Sequence, residues 1–308
     1  MILYSLSIMQ CMLSTKGIIY ILISAVFYAS YGVWSRLMGS SFGEYSQAWT
    51  RGLFLLIVIL LLNIKFKFLK KFSKKDLPWF MLIALAGGIN QAPYYYGFQQ
   101  LQIGTATLFF YASLVVGGYI ISKVFLNEKI DSTKLISLGV AVLGMALIYR
   151  FTLNSNQLLA AILTCLAGFL GAATVVLTKK LSGNYAEFQI MVGYFALQVL
   201  INAPLAMLNQ ESIPAFGNTT AWLAQLMYAI SMLVANYAII EGFKYVEGSI
   251  GSLIGLAEIL FGVLFGWLFF SEIVSVFTLI GGALIIFAAA FPSLKNKKIQ
   301  QNGDITYN

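Results

Sequence analysis

The sequence predicts an all-α integral membrane protein, with ten transmembrane helices arranged as two inverted five-helix repeats. Three observations carry that expectation. The 308 residues are 60% hydrophobic and 10% charged, with a mean hydropathy of +0.85, whereas a soluble domain is about 25% charged. Ten apolar stretches follow one another with short connections, each long enough to cross a bilayer core with some tilt. The second half of the chain then repeats features of the first at a constant offset.

Taken in order, residues 1–16 read as an N-terminal leader, interfacial or disordered. They are apolar but short and lack a basic start, which makes a poor signal peptide. Gln10 before Cys11 spoils a lipoprotein cleavage site, and Met12 offers an alternative start. The spanning segments are expected at 17–37, 47–64, 78–98, 103–125, 133–150, 157–179, 186–208, 220–242, 248–270 and 273–292. Only the connections 65–77 and 209–219 exceed a turn, so no soluble domain is expected. Residues 293–308 form a polar tail.

Charge sets the orientation. With the N-terminus inside, 16 of the 19 lysines and arginines fall on the cytoplasmic side, six of them in 65–75. Arg36, Arg51 and Arg150 fall outside. The positive-inside rule therefore puts both termini in the cytoplasm, in a cell membrane that we expect to be a bacterial inner membrane. The net charge of +8 reflects these loops, and no nucleic-acid partner is expected. The chain has no histidine, which removes His-based metal sites and the Ser/His/Asp triad. Its two cysteines, Cys11 and Cys165, give no disulfide framework. No G-x-x-x-x-G-K-[ST] motif is present. An enzyme, a cofactor and direct use of ATP are not expected.

The duplication is visible in particular residues. An offset of 144 aligns Arg36-Leu37-Met38-Gly39 with Lys180-Leu181-Ser182-Gly183, and Glu128 with Glu272. An offset of 145 aligns Gly97-Phe98 with Gly242-Phe243. The units are 17–150 and 157–292. A unit of five spans is odd, so consecutive copies insert with opposite topology, the plan of many secondary transporters.

The run Leu256-Ala257-Glu258-Ile259-Leu260, followed by Gly266-Trp267-Leu268-Phe269-Phe270-Ser271-Glu272, resembles the end of the second repeat in the EamA family. That family belongs to the drug/metabolite transporter superfamily. Its pattern has proline where this chain has Ile259, and glycine where it has Ser271. Phe125-Leu126-Asn127-Glu128, with Gly139 and Gly144 after it, resembles the ending of the first repeat. Arg51 resembles the family's arginine at the start of segment 2. The resemblance covers 17–292 and implies a ten-helix transporter that moves a small organic metabolite through a central cavity by alternating access.

Glu258 is the sharpest candidate for function, because a carboxyl group at mid-membrane costs at least about 2.5 kcal/mol and must face protein or water. Gly251, Gly255, Gly262 and Gly266 share its side of the helix and invite a close neighbour. Two readings stand for Glu258. It takes a proton or pairs a cationic group, or it is a structural acid bonded to a neighbouring helix. In segment 3, Asn90, Gln91 and Tyr94 share a face with Gly87, as cavity lining or as interhelical glue. Pro93 is positioned to kink that helix. Tyr111 in segment 4 sits near mid-depth, able to face Glu258 or simply to pack. In segment 1, Ser24, Tyr28, Tyr31, Trp34 and Ser35 run along one side, with Trp34 read as an interfacial belt residue. Arg51 reads as an accessory residue: it attracts a carboxylate, pairs with Glu44 or, as the simplest reading, snorkels to water. Glu128, Glu241 and Glu272 read as solvated or capping residues near helix ends.

The expected function is secondary active transport of an amino acid, amine or related solute, proton-coupled or by exchange. The alternative is a lipid-handling or structural membrane protein without solute turnover. The expected partners are the small-molecule substrate and membrane lipids, and the chain is expected as a monomer or dimer.

Overall fold

The computed structural model describes residues 2–101, 103–149 and 155–304; the side chains of residues 2–14, Glu44, Gln91 and 293–304 are among those left outside the described set. Thirteen α-helices follow in chain order, and no strand occurs among the described residues. They are α1 (Ile2–Ala29), α2 (Tyr31–Met38), α3 (Glu44–Phe66), α4 (Leu77–Ile89), α5 (Gln91–Gln100), α6 (Ile103–Phe125) and α7 (Ser132–Tyr149). After these come α8 (Leu158–Val176), α9 (Glu187–Leu208), α10 (Thr219–Phe243), α11 (Gly248–Gly255), α12 (Ala257–Phe270) and α13 (Val276–Asp304).

Eight stretches are long and apolar enough to cross a membrane, and Leu77–Ile89 and Val276–Pro292 are shorter apolar helices. Three pairs of helices make interrupted rods. These are α1–α2, broken at Ser30, α4–α5, broken at Asn90, and α11–α12, broken at Leu256. Counted this way, the apolar rods number ten, at the places the hydropathy predicts. The expected leader, residues 1–16, joins α1, whose backbone is helical from Ile2. Nearly all of its side chains, and those of the expected tail 293–308, lie outside the described residues.

The packing carries the duplication into three dimensions. The α1–α2 rod packs on α10 and on α11–α12; its counterpart α8 packs on α4–α5 and on α6. Helix α3 packs on α9 and α10, while α9 packs on α3 and α4. The last rods of the two halves, α7 and α13, pack on each other. The main contacts between the halves thus come in matched pairs. At the α7–α13 crossing Gly144 and Gly281 bring the backbones so close that a Cβ on either would strike the other's carbonyl. In lipid, where both sides of a contact are apolar, such close approach is what drives helices together.

The buried residues form two main clusters. The larger one runs through α1, α3, α4, α8, α9 and α10, around Ile21, Leu55, Ile83, Val176, Phe195 and Phe243. The smaller one joins α6, α7, α11, α12 and α13, around Val115, Met145, Leu253 and Ile285. Large apolar side chains such as Leu61, Leu143, Leu200 and Ile286 lie exposed on the perimeter, where a lipid solvent would accept them.

Polar groups cluster at the two ends of the bundle. At the lysine-rich end, the Glu128 carboxylate accepts from the Gly248 N–H at 2.7 Å, the Ser249 N–H at 3.3 Å and the Lys179 ammonium at 3.2 Å. Lys134 pairs with Glu247 beside it, and Lys244 with Glu187 and Glu241. At the opposite end Arg36 pairs with Glu272. There the Glu211 carboxylate caps α3, accepting from Tyr45 N–H at 3.1 Å and Ser46 N–H at 2.6 Å.

Candidate functional site

The site begins with helices that do not run straight. In the α4–α5 rod, Pro93 has no N–H to give the carbonyl of Ile89, and the helix is interrupted one residue later, at Asn90. In the α11–α12 rod, the proline of the EamA pattern is replaced by Ile259. The rod still breaks, by tightening into three-residue turns: Leu256 N–H donates to Leu253 O at 3.2 Å and Ile259 N–H to Leu256 O at 3.0 Å. Glu258 follows directly. In the α1–α2 rod the Ser30 hydroxyl turns back onto the Phe27 carbonyl at 2.7 Å, a bond that competes with the helical ladder.

Between these interruptions lies a cavity of about 210 Å³. Tyr28 and Tyr31 enter from the first rod, Arg51 from α3, Gly87, Asn90 and Tyr94 from α4–α5, and Phe110, Tyr111 and Leu114 from α6. The second half contributes Thr174, Tyr194, Gln198, Tyr228, Asn236 and Glu258. A smaller cavity of about 60 Å³ continues past Ser24, Phe243 and Ser252. Tyr28, Tyr111, Leu114, Val175 and Glu258 line both. Glu258 therefore stands at the neck between them, and the Tyr111 hydroxyl donates to its Oε1 at 2.5 Å.

Asn236 organises the opposite wall. Its Oδ1 accepts from the Tyr28 hydroxyl at 3.1 Å and the Tyr194 hydroxyl at 2.9 Å, while its Nδ2 donates to Met232 O at 2.8 Å. Tyr94 stacks on Phe110, with centroids 4.1 Å apart, and Phe110 meets Tyr111 edge-on. Arg51 is 2% exposed. Its guanidinium lies 3.8 Å from the centroid of the Tyr228 ring, which also contacts the Tyr31 ring at 4.4 Å. The helix that carries Arg51 is pinned by side-chain amides from the second half: Gln198 Nε2 donates to Ala48 O at 2.9 Å, and Gln225 Nε2 to Gln47 O at 2.7 Å.

Of the residues singled out in the sequence, the structure brings Glu258, Asn90, Tyr94, Tyr111, Tyr31 and Arg51 to one cavity. The side chain of Gln91 lies outside the described residues. Trp34 does not line the cavity; its Nε1 donates to Ser30 Oγ at 3.1 Å and Ser231 Oγ at 3.0 Å, so its indole is tied to α10 instead of serving as a free belt residue. Arg51 does not snorkel. Gln198 and Gln225 hold its helix inward, and Tyr228 gives the cation a π-face. The glycine stripe around Glu258 is not one contact face. A Cβ on Gly251 would meet Phe243 and one on Gly266 the Glu272 side chain, but Gly255 and Gly262 face open space. Of the acids expected to be solvated or capping, Glu128 caps the first turn of α11, Glu241 is buried and hydrogen-bonded, and Glu272 is half-exposed.

Tyr194, Gln198, Tyr228 and Asn236 were not singled out. The signal for them is the one that marked Asn90: an amide or phenol inside an apolar run. Segments 7 and 8 hold several such residues, and Asn202 and Gln225 serve packing instead.

A broken-helix cavity at the junction of two repeats, holding a carboxyl group, a guanidinium and a ring of tyrosines, is a plan that many membrane carriers share. The chain belongs to the EamA-like transporter family, whose pattern matches residues 15–150 and again 158–294. It is 25% identical over 218 residues to the pseudopaline exporter CntI of Pseudomonas aeruginosa, covering 70% of this chain and 75% of that one. It is 24% identical over 206 residues to an uncharacterized transporter of Archaeoglobus fulgidus, covering 66% and 72%. A crystal structure 14% identical in sequence superposes with a TM-score of 0.78, over 92% of this chain and 99% of the other, and shares its fold.

Proposed function

We propose that the protein is a secondary active transporter of a small organic metabolite, an amino acid, amine or related solute, which crosses by alternating access. The ten rods form two inverted five-helix repeats that rock about the central cavity, with both termini in the cytoplasm of a bacterial inner membrane. The observation that carries this reading is Glu258. A lone acid placed at the neck of a central cavity and bonded by a tyrosine from the other repeat is costly to a fold that only packs. It suits a group that takes a proton or holds an ammonium as the repeats rock. The likeness to a pseudopaline exporter favours outward movement of the solute.

The test is counterflow in proteoliposomes, after solutes have been screened by the thermal stabilisation that bound ligand confers. Glu258→Gln is expected to lower flux about tenfold or more, equivalent to about 1.4 kcal/mol, and to abolish its response to a pH gradient. Wild-type flux at every pH in that variant would sink the role of Glu258. Purified protein that retains lipid in the cavity and moves no solute would favour the lipid-handling alternative.

A further inference from the structure

We propose that Arg51 and Tyr31 form an anion subsite in the central cavity, which seats a carboxylate or chemically equivalent oxyanion of the transported solute. The proposal rests on the transport reading and narrows it, since a simple amine would not fill the site.

Arg51 is nearly inaccessible, and its Nε and Nη1 atoms have no hydrogen-bond partner among the described residues. The Tyr31 hydroxyl, on the same cavity wall, has none either. No ion pair reaches Arg51 among the described residues, whereas Arg36 and Lys134 each have a carboxylate. A buried donor without a partner costs about 1–3 kcal/mol, and more when charged. The guanidinium carbon lies over the Tyr228 ring. That contact supports the charge and leaves Nε and Nη1 without an acceptor, and a charged guanidinium N–H makes a strong hydrogen bond to a carboxylate oxygen. Two side chains with unsatisfied buried donors, one permanently charged, therefore line the same cavity beside Tyr228.

The rest of the cavity sets what else the solute carries. Glu258 lines the same space from another rod. An ammonium at Glu258 and a carboxylate at Arg51 would neutralise both buried charges at once. A solute with only the ammonium would leave Arg51 uncompensated, and one with only the carboxylate would leave Glu258 so.

The experiment is a thermal-shift series on the purified full chain. The probes are α-amino acids, each beside its carboxamide and its decarboxylated amine. The free acids are expected to bind at least tenfold more tightly than their amides. Arg51→Met should erase that preference and leave the ligand-free melting temperature unchanged or higher, because it removes an unpaired charge. Tyr31→Phe, which deletes only the hydroxyl, should weaken the acids several-fold. Equal stabilisation by acid and amide overturns the subsite, and so does a panel in which no acid stabilises. A ligand-free melting temperature that falls in Arg51→Met also overturns it, since Arg51 would then be a structural cation, paired for instance with Glu44. The transport reading fails separately. Acid-specific stabilisation without counterflow would sink transport and leave the subsite, whereas Glu258-dependent amine flux indifferent to Arg51→Met would do the reverse.

Discussion

The Tyr111 hydroxyl donates a hydrogen bond to Glu258 across the junction of the two repeats. Removing it leaves a carboxyl oxygen short of a donor in apolar surroundings. Tyr111→Phe is expected to cost about 1–2 kcal/mol of stability and to shift the pH at which transport is half-maximal, read from melting curves and from flux against pH. A Tyr111 that only packed would leave the pH profile where it was. The offset of 144 sets Glu258 against Leu114, and the two line the same cavity. It likewise sets Tyr31 against Val175. One repeat brings the polar group where the other brings a hydrocarbon. Glu258 and Asn90 were legible in the sequence because a polar group inside an apolar run is conspicuous. Arg51 was legible as a residue but not in its setting. Whether an arginine eight positions into a helix reaches water depends on the neighbours that close over it, here Tyr228 and the amides of α9 and α10.

At the scale of the element, both repeats end their fourth rod in the same way. Asn127 and Ser271 occupy equivalent positions after α6 and α12, with φ of 55° and 54°. In each case the next residue's N–H reaches back six positions: Glu128 N–H to Ser122 O at 3.0 Å, and Glu272 N–H to Gly266 O at 3.1 Å. This is a wide helix ending closed through a left-handed residue, a position that favours glycine or asparagine. Asparagine meets the demand in the first repeat; serine strains against it in the second. Ser271→Gly is expected to stabilise the protein by about 1 kcal/mol, visible as a higher melting temperature with unchanged flux. The positions of the rods were legible in hydropathy, since lipid demands continuous apolar runs. Their interruptions were only half legible. Pro93 announced the break at Asn90, whereas the break at Leu256 comes from three-residue turns at Gly255 that no residue type compels.

For the whole molecule, the equivalent acids Glu128 and Glu272 each make an ion pair, one at each end of the bundle. Glu128 with Lys179 ties the end of α6 to the turn Leu177–Lys180 after α8 at the lysine-rich end, and Glu272 with Arg36 ties the end of α12 to α2 at the other. If the repeats rock, opening either end strains its own pair. Glu128→Gln should favour a molecule open at the lysine-rich end, and Glu272→Gln one open at the opposite end. Hydrogen exchange is expected to rise at the released end only, and a rise at both ends would argue against two independent latches. Burial alone would raise the pKa of Glu128. The Gly248 N–H, Lys179 and the Ser249 N–H outweigh that and hold it below the usual carboxylate range. Its contribution to stability is therefore present above the ordinary carboxylate pKa of about 4.3. It is lost only as pH falls through the lowered value.

The two latches differ in how much solvent sees them. The side chains of Arg36 and Glu272 are 54% and 46% exposed, against 27% and 8% for Lys179 and Glu128. Dissolved ions weaken exposed ion pairs and screen buried ones much less. Ionic strength would thus loosen one end of the bundle and leave the other shut. A carrier built from two copies of one fold would then respond to the saltiness of its surroundings as though it had a single hinged door.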